Sequence, residues 1–215
     1  ASQIRNEYQS VVGKGGTNEQ EEDATKVQSD YDVQNSAEHA DDSLHQGSWD
    51  WYSFMQKGQI QPNFCQNFPE TSKILEHVRR THLLFEDIPF GFCFFSKLHP
   101  QSSIHSHSAP MNFRLRLHLP LIVPDSSAGT TTTTTTKETH GLSCGIRVGP
   151  TVQPWTTDRA IVLDDAYEHE VWNHTNEERV LLLVDIWHPD VQKQERERIV
   201  AMFQHAKEQG WIGSK

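Results

Sequence analysis

Residues 105–121 read HSHSAPMNFRLRLHLPL, and three basic side chains in this stretch recur at every second position. Arg114, Arg116 and His118 alternate with Phe113, Leu115, Leu117 and Leu119, seven residues after His107. Period-two alternation sends neighbouring side chains to opposite faces of a strand, so one face is basic and the other apolar. A solvated face of an antiparallel sheet gives the same pattern, so alternation alone decides nothing. Two further segments change its meaning. His169 lies in DDAYEHEVW, and Arg179 opens the very apolar RVLLLVDIW ten residues later. Imidazole is a common ligand for divalent transition metals, and a guanidinium fork reads a carboxylate through two parallel hydrogen bonds. Two histidines and several inward arginines on a β scaffold point to a metal site that takes an acidic cosubstrate.

The elements that must position these groups are short. The segments FGFCFFSKL, FRLRLHLPLIV, CGIRVG, AIVLDD, HEVWNHT and RVLLLVDIW are each bounded by Pro, Gly, Asn or Asp, the signature of a sandwich or barrel of antiparallel strands. WDWYSFMQKG supplies aromatic anchors, ETSKILEHVRR predicts a helix, and Asp190 to Gln209 predicts an amphipathic helix ended by Gly210. Residues 13–47 are polar with hardly any large apolar side chains, and the whole of 1–47 is expected to be a flexible N-terminal segment. The domain proper is expected over 48–190 and the C-terminal helix over 191–215. The threonine-rich stretch within 124–142 has no periodicity that could pack, and is expected to be a disordered, expanded hairpin loop.

Composition narrows the partners. A formal net charge of −10 and a pI near 5.7 argue against a nucleic-acid partner, which requires a basic stripe. No apolar run approaches the roughly 20 residues that span a bilayer, so no membrane span is expected in this chain. The sequence opens on Ala1 rather than Met, as expected of a fragment or a processed form, and its compartment is left open. Cys65, Cys93 and Cys144 are odd in number and widely spaced, forming neither a disulfide framework nor a zinc-ribbon pattern.

The run HSAPMNFRLRLHL, followed in order by CGIRVG, IVLDDAYEHEVWNHT and RVLLLVDIWHPD, resembles the aspartyl/asparaginyl β-hydroxylase family of iron(II)- and 2-oxoglutarate-dependent oxygenases. The likeness runs from about Trp49 to Asp190 and includes FCQNFPETSKILE upstream. It implies a double-stranded β-helix, the jelly-roll or cupin-like architecture, with flanking helices. It also implies that His107 and His169 bind the iron. Arg179, helped by Ser96, would grip the distal carboxylate of 2-oxoglutarate, Arg116 and His118 would hold its chelating end, and Arg114 would face the substrate. Ala109 stands where most such oxygenases carry a ligating acid, and this family characteristically has a small residue there. Asp165, four residues before His169, is either a carboxylate ordering a water in that position or an aspartate capping its loop. Ser72 occupies a position where a relative can carry a cysteine partner for Cys65, so no disulfide is expected there.

The activity implied is hydroxylation of the β-carbon of Asp or Asn in a protein or peptide substrate. Three alternatives stand beside it. Related oxygenases act on small molecules or acyl groups, a small residue at Ala109 could make room for chloride and halogenation, and the fold could survive as a non-catalytic module. The resemblance is compatible with the lumen of the secretory pathway.

Overall fold

The structure is a computed structural model that describes residues 1–13, 27–31, 44–125 and 141–212. It is mainly β. Two antiparallel sheets face each other, and helices flank one of them.

The six-stranded sheet has the order β3 (Gln59–Ile60), β2 (Trp49–Gln56), β4 (Cys93–Leu98), β11 (Arg179–Trp187), β6 (Arg114–Ile122), β9 (Ile161–Leu163). The five-stranded sheet has the order β1 (His45–Gln46), β5 (Ser102–His107), β10 (His169–Asn173), β7 (Cys144–Val148), β8 (Thr151–Gln153). Consecutive strands pass repeatedly from one sheet to the other, as in a double-stranded β-helix, and every pairing is antiparallel.

Strand β11 explains its own composition. Val180, Leu182 and Val184 join an outer core under the helices, whereas Leu181 and Leu183 join the core between the sheets. A strand covered on both faces reads as a continuous apolar run. Its neighbour β6 pairs Arg114 with Trp187, Arg116 with Asp185 and His118 with Leu183, so all three basic residues share the inner face. The alternate residues Leu117, Leu119 and Leu121 pack into the outer core.

That outer core is closed by α1 (Ser2–Val11), α2 (Pro62–Asn67) and α3 (Pro69–Arg80). Helix α1 stands within the stretch expected to be flexible. Ile4 and Tyr8 are buried, and Val11 and Val12 pack beside them, so four apolar residues at helical spacing seat a short helix on the sheet. The Glu7 carboxylate accepts bonds from the backbone N–H groups of Glu70 (2.8 Å) and Thr71 (2.7 Å), capping α3 from another element. Tyr31, also within 1–47, stacks on Trp51 and packs at a tilt against Trp49. The rest of that segment, at 14–26 and 32–43, lies outside the described residues, as do residues 126–140 of the threonine-rich loop.

Helix α4 (Lys193–Glu208) opens with a reciprocal cap between Gln192 and Glu195 and ends before Gly210, whose φ of +69° only glycine adopts without strain. Its Ile199, Val200 and Phe203 pack with Phe85, Ile88 and Trp187. The three cysteines are free.

Candidate metal and cosubstrate site

Both histidines singled out in the sequence meet between the sheets. His107 ends β5 rather than leading into β6, and it pairs in register with His169 at the start of β10, where the ladder shifts. Their ring centroids lie 4.1 Å apart. Each Nδ1 is tied to a carbonyl oxygen two residues upstream: His107 to His105 at 2.7 Å and His169 to Tyr167 at 2.9 Å. A carbonyl only accepts, so each Nδ1 carries the proton and each Nε2 keeps its lone pair, the tautomer a metal ligand needs. Burial lowers the basicity of both rings, and the Arg116 charge adds to it. His169 has the other imidazole as a further cause, and its pKa falls to about 4. Among the described residues no third His, Cys, Asp or Glu joins them in a group that could hold a metal. Ala109 lies close by, its N–H donating to the Asp165 carbonyl at 2.7 Å.

Arg114 and Arg116 stand in a buried cluster with two carboxylates. Arg114 Nη2 reaches Asp165 Oδ2 at 2.6 Å, Arg114 Nη1 reaches Asp185 Oδ2 at 2.9 Å, and Arg114 also donates to the Phe90 carbonyl. Arg116 places Nε and Nη2 on the two oxygens of Asp185 at 2.8 and 3.0 Å, and its Nη1 lies 3.3 Å from Asp165 Oδ2. Burial opposes the charge on Asp165, but Arg116 and Arg114 outweigh it and keep the carboxyl ionised. The Asp165 carboxylate therefore bonds the arginine cluster, and among the described residues it makes no side-chain bond to its own loop. Arg114, expected to face the substrate, is only 4% exposed and already matched by carboxylates. Sequence reading missed Asp185, although the signal was present: it lies in phase with Arg179, Leu181 and Leu183 on the inner face of an apolar strand.

Arg179 is different. It is 1% exposed, and its Nε and Nη2 have no hydrogen-bond partner among the described residues. Neither Asp164 nor Glu177 is paired with it. Burial pulls its pKa down to about 10, opposed by Cys144. The Arg179 Cζ lies over the indole ring of Trp155, 4.8 Å from its centroid. Burying such a charge without a partner costs several kcal/mol, which a bound anion would offset. The Nε and Nη2 hydrogens project from one edge in parallel, and on Arg116 that same edge holds a carboxylate bidentately.

The remaining candidates line the same interior. Both nitrogens of buried His118 are unpartnered among the described residues, and burial followed by the charges of Arg116 and Arg179 holds its ring neutral. Ser96, in register with Leu181 on β4, accepts the indole N–H of Trp49 at 2.9 Å. Trp49 and Trp155 were not read as site residues. Trp155 lies between strands in a segment with no periodicity to announce it.

The donor set therefore fits a divalent metal and a carboxylate: two imidazoles with Nε2 available, and a buried guanidinium edge without a partner among the described residues.

Comparison with known proteins agrees with that reading of the family. Residues 1–189 match the family model described as Aspartyl/Asparaginyl beta-hydroxylase. The aspartyl/asparaginyl beta-hydroxylase of Mus musculus is 29% identical over 163 residues, which are 75% of this chain and 19% of that protein. The ornithine lipid ester-linked acyl 2-hydroxylase of Rhizobium tropici is 40% identical over 95 residues, 44% of this chain and 29% of that protein. Among solved structures, a Cupin 2 conserved barrel domain protein from Salinispora arenicola aligns with a TM-score of 0.37 at 11% identity, covering 74% of this chain and 88% of that one. This chain thus spans well under two thirds of the length of the curated relatives it matches.

Proposed function

The chain belongs to the aspartyl/asparaginyl beta-hydroxylase family, and from that premise we propose that it is an iron(II)- and 2-oxoglutarate-dependent dioxygenase that hydroxylates the β-carbon of Asp or Asn in a protein or peptide. The observation that carries the cosubstrate assignment is the Nε/Nη2 edge of buried Arg179, unpartnered among the described residues, with His118 lying within electrostatic reach of both that arginine and His169, one of two histidines whose Nδ1 protons are already committed. Iron with 2-oxoglutarate, when bound, supplies the dioxygen chemistry, with succinate and carbon dioxide as by-products.

The side chains contribute geometry and electrostatics. His107 and His169 hold the metal through Nε2, each ring fixed by its backbone carbonyl. Arg179 takes the distal carboxylate of 2-oxoglutarate through two parallel bonds, and Ser96 lines that end. His118, neutral and unpartnered, serves the chelating end beside Arg116, whose charge is shared with Asp185 and Asp165. Asp165 fixes the arginine pair and, through its backbone carbonyl, the loop bearing Ala109. Arg114 acts on the substrate through that cluster.

A second reading has a specific observation behind it: the relative named for acyl 2-hydroxylation is the more identical over its matched stretch. An acyl or other small-molecule substrate is therefore the alternative. The deciding assay follows succinate release with Fe(II) and 2-oxoglutarate against a panel of Asp- and Asn-containing peptides and a panel of acyl esters. Stimulation by peptides with a product heavier by one oxygen supports the first reading, and stimulation only by acyl compounds supports the second. A chlorinated product at high chloride would make it a halogenase, and no succinate with any substrate would make it a non-catalytic module.

A further inference from the structure

Trp155 lies against both Arg179 and His118. Its ring lies under the Arg179 guanidinium at 4.8 Å and reaches the His118 ring at 6.2 Å between centroids. It is 3% exposed, and its indole N–H has no partner among the described residues. It sits on the crossover from β8 in one sheet to β9 in the other, in a turn held by the Thr156–Arg159 bridge and by the Asp158 N–H donating to the Pro120 carbonyl at 2.9 Å. Arg5 of α1 clamps the same turn through Asp158 and the Leu121 carbonyl.

A guanidinium at the end of a long side chain has many rotamers, and a bidentate grip requires one plane. Hydrogen bonds to protein carboxylates fix that plane for Arg116, but among the described residues none does so for Nε and Nη2 of Arg179. The indole ring beneath it is a restraint the structure does show, and a cation over an aromatic face is held most strongly where it is desolvated. We propose that Trp155 is a positioning residue that sets cosubstrate specificity: its ring face holds the Arg179 fork edge-on to the cavity, so that a 2-oxo acid ending in a carboxylate is selected over one ending in a methyl group. This rests on the assignment of Arg179 to the distal carboxylate.

The test loads the protein with Mn(II) and measures by calorimetry the dissociation constants of 2-oxoglutarate and of 2-oxobutanoate, which has the same chelating end and no distal carboxylate. The unmodified protein is expected to prefer 2-oxoglutarate by at least about tenfold, roughly 1.4 kcal/mol. Absence of that preference would overturn the Arg179 assignment itself, whatever the variants do. With the preference present, Trp155→Leu is expected to lose about tenfold in 2-oxoglutarate affinity, with Mn(II) and 2-oxobutanoate affinities unchanged, and Trp155→Phe, which keeps a ring face, is expected to stay within about threefold of the unmodified protein. Full retention of the preference in Trp155→Leu, or a Phe variant as impaired as Leu, would overturn the role of Trp155 alone. If Trp155→Leu does not fold, Trp155→Met takes its place with the same expectation.

Discussion

At the scale of single residues, two buried arginines show opposite solutions to one problem. Arg116 is matched by Asp185 and Asp165, whereas Arg179 has desolvation without a protein carboxylate. Removing Arg179 should therefore stabilise the ligand-free protein. Arg179→Met is expected to raise unfolding free energy by about 1–4 kcal/mol in urea titrations while abolishing any preference for 2-oxoglutarate. Arg179→Lys keeps the charge but loses the planar fork, so 2-oxoglutarate affinity on the Mn(II)-loaded protein should fall tenfold or more, about 1.4 kcal/mol, with Mn(II) affinity unchanged. A destabilised Arg179→Lys with unaltered 2-oxoglutarate affinity would make the arginine structural. Asp185 should behave in the opposite way. Asp185→Asn leaves two guanidiniums to share one carboxylate in a dry site and should cost about 3–5 kcal/mol in the same titration.

At the scale of elements, what was legible depended on whether periodicity survived the local chemistry. Strand β6 was readable because leucines alternate with Arg114, Arg116 and His118, and β11 because both its faces are apolar. Strand β5, SSIHSH, was not readable as a strand. Its inward positions include Ser102 and Ile104, and Ser102 is buried by accepting the Ser48 N–H rather than by being apolar. Helix α1 was missed although Ile4, Tyr8, Val11 and Val12 have helical spacing, because the polar stretch that follows dominates the composition of the N-terminal segment. The helix closes the outer core, caps α3 through Glu7 and braces through Arg5 the turn that carries Trp155. Ile4→Ala should consequently cost about 2–5 kcal/mol in urea unfolding. A change under about 0.5 kcal/mol, the range of ordinary surface substitutions, would mean that α1 does not dock.

At the scale of the whole molecule, two sheets hold ionisable groups in an interior that is otherwise apolar, and stability must then follow pH. An unfolded imidazole takes a proton near pH 6.5, whereas folded His169 takes one only near 4, and burial also lowers His107 and His118. Between those values the unfolded chain binds more protons, so stability is fully present above about 6.5 and falls as the pH drops towards 4. Each such site contributes at most about 1.4 kcal/mol per pH unit. Urea midpoints of the metal-free protein should thus decline from pH 7 to pH 5, and a flat profile would place these histidines in water. Among the described residues no helix is long and apolar enough to cross a membrane. The family resemblance was legible from motifs that keep their order, whereas the Asp165–Arg114–Arg116–Asp185 cluster and the indole under Arg179 arise from contacts between residues far apart in sequence. The most direct test of the account is a crystal structure of the protein with Mn(II) and 2-oxoglutarate, the metal located by its anomalous scattering. One manganese bound by Nε2 of His107 and of His169, with the distal carboxylate on Nε and Nη2 of Arg179, is the predicted result; manganese on other side chains, or that arginine edge turned onto a protein carboxylate, would contradict it.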